Sequence, residues 1–118
     1  MDSQLVQEIN LLHDRVCRGL SDPKRIMILY ALNERPCYVS ELAEQLKMPQ
    51  PTVSRHLKIL RDCSLVKTNR EGTAVYYAIN DDRIIEALDL MRALLRDRVM
   101  HNARLMTTSS EENSPKTE

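Results

Sequence analysis

The stretch that most constrains this chain is VSELAEQLKMPQPTVSRHLKILRDCSLVKTNREGTAVYYAI, from Val39 to Ile79. Leu42, Ala43 and Leu46 form a short apolar stripe of helical period, with Ser40 as its expected cap and Glu41 and Glu44 near the positive end of the helix dipole. The pattern breaks at Lys47-Met48-Pro49 and resumes near Gln50, where Pro51 fits the opening turn of a second helix because its missing N–H would be unpaired there anyway. After Cys63-Ser64 come two β-rich runs, Leu65 to Thr68 and Ala74 to Ile79, separated by Asn69-Arg70-Glu71-Gly72. Two short helices, a tight turn and a hairpin predict a winged helix-turn-helix, a module for reading duplex DNA.

Within the second helix Val53, Leu57 and Leu60 recur at i, i+4 and i+7, which assigns them to the core. Gln50, Thr52, Ser54, Arg55, His56 and Lys58 are left over the remaining face and the N-terminal turn. Gln and Arg can pair with base edges in the major groove, Ser and Thr can donate or accept, and Lys serves phosphates as a point charge. Arg70, near the expected hairpin tip, would reach the neighbouring minor groove or the backbone. Net charge is zero over the whole chain, but residues 47–72 carry six basic against two acidic groups, while the segments before and after are acidic. Scattered cations alone would read as a solvated face; their coincidence with the helix-turn-helix pattern favours a DNA-binding element.

The flanks complete an α+β fold, mainly α with a small β-hairpin. Leu5, Ile9, Leu12 and Val16 make an amphipathic first helix, and Ser21-Asp22-Pro23 starts another that carries Ile26, Ile28, Leu29 and Leu32 and ends around Asn33 to Pro36. Tyr38-Val39 could add a short edge strand to the wing. Asn80-Asp81-Asp82 caps a long helix expected from about Arg83 to Arg104, with Ile84, Leu88, Met91, Leu95 and Val99 close to heptad spacing. With no Phe or Trp and four Tyr, the core must be aliphatic and thin, so a dimer through the first and last helices is expected. Two recognition helices about 34 Å apart would then read an inverted repeat, or palindromic operator. Residues 1–106 make this winged domain with its dimerisation helices; residues 107–118 are polar and aperiodic, and are expected to be a disordered tail.

GLSDPKR (Gly19 to Arg25), VSELAEQL, PQPTVSRHLKILRDCSLVKTNREG and VYYAI resemble the ArsR-type (ArsR/SmtB) transcriptional repressors over roughly residues 5–105. The resemblance implies a homodimeric repressor that leaves its operator on binding a metal ion or a thiol-directed signal. It implies DNA contacts at Gln50, Thr52, Ser54, Arg55, His56, Lys58 and, in the wing, Arg70. Pro49 stands where the family often places a capping Ser. Of the family's two metal patterns, the cysteine box at the helix beginning VSEL has Tyr38 and Ser40 in place of its cysteines, with Cys37 one position early. The last-helix pattern is reduced to Asp97 and His101, a spacing that more often makes a surface ion pair than a zinc site.

The candidate sensing thiols are Cys17, Cys37 and Cys63, with Cys37, beside a surface turn, the one expected to be exposed. Free cysteines are most often small buried hydrophobes; the functional alternative is convergence of two or three thiols on a soft ion such as arsenite, or reaction with an oxidant or persulfide. An odd cysteine count without CxxC spacing argues for reduced thiols, and the absence of any long apolar run for a cytoplasmic protein. With Gly19 and Gly72 its sole glycines, the chain has no phosphate loop, and no acid, base and nucleophile cluster, so an enzyme is not expected. The rival from another class is a winged helix that docks proteins rather than DNA; within the DNA-binding class it is a regulator whose cysteines are structural and which has no small inducer.

Overall fold

The computed structural model describes residues 1–112, with side chains to residue 102. Helix α1, Ser3–Leu11, opens under Asp2, whose carboxylate accepts from the Leu5 N–H at 3.2 Å, and runs on as a π-helical stretch over Leu12–Cys17. None of its residues is buried. Helix α2, Pro23–Glu34, has the start the sequence predicts: Asp22 Oδ1 accepts from the Lys24 N–H at 2.8 Å, and Pro23 wastes no donor in the first turn. It ends before Pro36, which forces Arg35 to be extended.

Helix α3, Val39–Leu46, starts one residue ahead of the expected Ser40 cap. The helix start is held instead by Glu41, whose carboxylate accepts from the Tyr38 N–H at 2.9 Å; Ser40 is exposed. That early start leaves no room for a Tyr38-Val39 strand. The edge pairing falls on Cys37, which exchanges backbone hydrogen bonds of 3.0 and 2.8 Å with Tyr77. Lys47 closes α3 in the left-handed region at φ 57°, and helix α4, Gln50–Asp62, begins after an extended Pro49. Ser64, at φ 64°, makes the matching exit from α4.

The wing is an antiparallel hairpin of β1, Val66–Glu71, and β2, Ala74–Ile79, in register from Val66 opposite Ile79 to Glu71 opposite Ala74. Its loop is shorter than the sequence suggests: Asn69 and Arg70 pair within the ladder, and Gly72-Thr73 alone turn the chain. Gly72 sits at φ +63°, and a Cβ there would meet nothing within 4 Å, so the demand for glycine is conformational rather than steric. Helices α3 and α4 pack on each other and on α2, while β1 lies against α4 and β2 against α2. Ile28, Leu29, Leu42, Val53, Leu57 and Leu60 are closed to solvent, an aliphatic centre as the composition requires.

Helix α5, Arg83–Glu112, begins behind Asp81, whose carboxylate takes the Arg83 N–H and guanidinium. The chain divides into a unit of Met1–Ile85 and a second formed by α5 from Glu86 onward. The helix continues six residues into the stretch expected to be a tail, because no Gly or Pro interrupts it before Pro115. The rest of that expected tail, 113–118, lies outside the described residues. Among the described residues no helix is long and apolar enough to cross a membrane.

Candidate nucleic-acid interface

Helix α4 presents two faces of opposite character. Val53, Leu57 and Leu60 are fully buried, as their spacing predicts. On the other side Gln50, Ser54, Arg55 and Lys58 are exposed and Thr52 is half-buried. The Arg55 guanidinium donates to Thr52 Oγ1 at 3.3 Å, which holds the two side chains together one turn apart. Lys58 makes an exposed ion pair of 3.3 Å with Asp62, a contact weak enough in water for a phosphate to displace. Helix α4 has no side-chain cap at Pro49, so the N–H groups of its first turn add positive potential beside Gln50.

His56 does not share that face. Its side chain is only 13% exposed, with Nδ1 at 3.1 Å from an Arg25 guanidinium nitrogen and Nε2 at 3.9 Å from the Asp22 carboxylate. Arg can only donate, so Nδ1 accepts and the ring proton lies on Nε2, toward Asp22. Burial, reinforced by Arg25, Lys24 and Arg55, pushes the imidazole below its ordinary pKa, against the opposing pull of Asp22. Asp22 in turn is held below the usual carboxylate range, first by the Lys24 N–H and then by His56 and Arg25. Of the α4 side chains expected to face a groove, His56 is the one the structure turns inward, onto Arg25 and Asp22.

Arg25 is what the sequence reading missed. It is buried, and its guanidinium donates to the carbonyls of Gly19 at 3.0 Å and Arg18 at 3.2 Å and to Ser21 Oγ at 2.9 Å, besides His56. The available signal was spacing: Arg25, Ile28, Leu29 and Leu32 stand at i, i+3, i+4 and i+7, so the cation lies on the core stripe of α2. Gly19 supports the same corner, since a Cβ there would come within 2.5 Å of Leu65 Cδ1.

In the wing Arg70 is exposed, opposite Val75 and one pair back from the loop, near the tip as expected. Strand alternation sends Arg70 and Glu71 to opposite faces. On the face of Glu71, Tyr76 stacks on Tyr38 with ring centroids 4.2 Å apart and their hydroxyls at 2.7 Å. That hydrogen bond, with Glu71 beside it, holds the Tyr76 phenol well above its ordinary pKa and braces the wing against the start of α3.

The three thiols are free and differently placed. Cys37, expected to be exposed, is 1% exposed; its edge pairing with Tyr77 buries it, Sγ donates to the Arg35 carbonyl at 3.3 Å, and burial raises its pKa. Cys63 is buried too, and Cys17 on the π-helical stretch is exposed. Asp97 and His101 are exposed on α5. Among the described residues no three His, Cys, Asp or Glu side chains come together as a metal site, so this donor set does not fit a closed centre within one chain.

Known proteins share this architecture. The model of the bacterial regulatory protein, arsR family, matches residues 22–68, the span from the α2 cap into β1. An HTH-type transcriptional regulator of Methanocaldococcus jannaschii, MJ1325, is 41% identical over 80 residues, which is 67% of this chain and 90% of that protein. The chain belongs to the ArsR family. This is a family of DNA-binding transcriptional regulators, not of enzymes. The chain is also similar to CmtR of Mycobacterium tuberculosis, described as a cadmium metal-sensor, with 42% identity, a TM-score of 0.57, and coverage of 64% of this chain and 79% of that one. The homodimeric winged helix-turn-helix domain Mb0332 of Mycobacterium bovis superposes with a TM-score of 0.74 at 25% identity, covering 86% of this chain and 93% of that one.

Proposed function

We propose that this ArsR-family chain is a repressor that binds an inverted-repeat duplex as a homodimer, reading bases with α4 and steadying itself on the backbone with the wing. The observation that carries this is the two-sided helix α4. Three fully buried aliphatics fix its orientation, and Gln50, Thr52, Ser54, Arg55 and Lys58 form one outward strip of groove-compatible donors and acceptors. Arg70 extends the positive surface onto the hairpin. Dimerisation through α1 and α5 is supported by their apolar side chains, among them Ile9 and Leu11 on α1 and Leu94 and Leu95 on α5, which stand exposed. The homodimeric state of the Mb0332 domain favours a homodimer here as well.

The proposed input is a thiol-directed signal acting on Cys17, the exposed thiol; an oxidant or a persulfide has the required chemistry, whereas arsenite would need two or three thiols to converge. The burial of Cys37 and Cys63 favours a structural role for both, and if Cys17 proves silent the regulator has no small thiol-directed inducer.

Fluorescence anisotropy against a duplex recovered by selection from a randomised library tests the reading. Reduced protein should bind with an affinity that falls steeply with salt, and Arg55→Ala should cost about 1–3 kcal/mol. Release by one thiol reagent should disappear in Cys17→Ser. A flat salt response, with Arg55→Ala indistinguishable from the parent, would overturn the DNA reading and leave a protein-docking winged helix.

A further inference from the structure

Arg25 and His56 form a polar strut between the turn that precedes α2 and the middle of the helix proposed to read DNA. The guanidinium gathers the carbonyls of Arg18 and Gly19, the Ser21 hydroxyl and His56 Nδ1, all between 2.9 and 3.2 Å. Neither side chain lies on the outward strip: Arg25 is buried and His56 nearly so. A guanidinium can span these acceptors because its donors are fixed in a planar fork; an ammonium, a point charge, cannot. His56 lies directly beside Arg55 in sequence and one turn from Thr52, so this contact adds a polar anchor, beside the buried aliphatics, at the part of α4 that carries those two side chains.

Resting on the DNA reading above, we propose that Arg25, acting through His56, is a positioning residue that sets the presentation of α4 to base edges, and that protonation of His56 releases it. Protonated imidazole carries N–H groups on both nitrogens, so Nδ1 can no longer accept from Arg25 and two cations face each other. The groups around the ring are Asp22, Lys24 and Arg25 from α2 and its cap, and Arg55 from α4. Asp22, at 3.9 Å, favours the charged ring; the three cations and burial oppose it.

The measurement is the ratio of affinities for the selected duplex and for random duplex, taken by anisotropy at pH 7.5 and 5.5, well below each variant's Tm. Arg25→Lys should lower the ratio by on the order of tenfold, with random-duplex affinity and salt slope unchanged, because no DNA-facing side chain has been altered. His56→Asn, whose carbonyl oxygen can take the place of Nδ1 as acceptor but does not titrate, should keep the ratio at pH 7.5 and abolish its fall toward pH 5.5. If Arg25→Lys keeps the parental ratio, or only lowers Tm, the positioning role is wrong. If His56→Asn loses the ratio while Arg25→Lys keeps it, His56 reads DNA directly. A parent that shows no preference for any selected duplex would refute the DNA reading itself, a result distinct from either.

Discussion

Helices α4 and α1 carry nearly the same apolar rhythm and meet opposite fates. Val53, Leu57 and Leu60 of α4 are completely buried, whereas Leu5 and Ile9 of α1 and Leu12 at the start of its π-helical continuation, at the same i, i+4, i+7 spacing, are 43%, 45% and 52% exposed. The period of a stripe says that some surface must cover it; it does not say whose. In α4 the cover is internal, from α2, α3 and β1, and the polar remainder becomes available to a ligand. In α1 no residue is buried, so its apolar face is what a second copy would have to cover under the proposed dimer.

This contrast can be broken outright by truncation. Leu57→Ala should cost about 2–5 kcal/mol in denaturant unfolding, since it opens a cavity in a sealed core. Ile9→Ala should change the unfolding of dilute protein by well under about 1 kcal/mol, yet weaken self-association in sedimentation experiments. Equal costs for the two at low concentration would mean that α1 is covered by its own chain.

A finer test stays within the reading head. Gly72→Ala should destabilise by about 1 kcal/mol, because φ +63° is costly for an L side chain even where space is open, and the loss should leave self-association untouched. A neutral Gly72→Ala would mean that the hairpin loop is free to relax to another turn.

The smallest effect is an acid one. The Arg83 guanidinium and backbone N–H hold the Asp81 carboxyl down to about 2, and Glu41, through the Tyr38 N–H and then Arg35, also lies below its ordinary value. Carboxyls lowered on folding contribute stability that is full above the unfolded pKa of about 4 and lost as pH falls through the folded one. Thermal melts between pH 5 and pH 2 should therefore decline, modestly and less at high salt, because these groups are solvent-exposed. Asp81→Asn should flatten part of that decline.

What was legible in the sequence follows the same division. Short-range rules placed the start of α4 near Gln50, with Pro51 in the first turn, Val53, Leu57 and Leu60 inward, and every polar group but His56 toward the open side. They located α2 equally well through Asp22 and Pro23. They failed where a partner distant in sequence decides the outcome. His56 looked like a neighbour of Arg55 until Arg25, on α2, claimed its ring. Cys37 looked exposed beside Pro36 until Tyr77 paired with its backbone. The α3 cap passed from Ser40 to Glu41 because a carboxylate reaching back to the Tyr38 N–H served better than a hydroxyl two residues past the cap position.

The most direct test of the central claim is a hydroxyl-radical footprint of the reduced protein on its selected duplex. Two protected half-sites related by a dyad, with centres about one helical turn or 34 Å apart, would establish two copies of α4 reading two grooves. Unbroken, position-independent protection, or none at concentrations that saturate anisotropy, would contradict it.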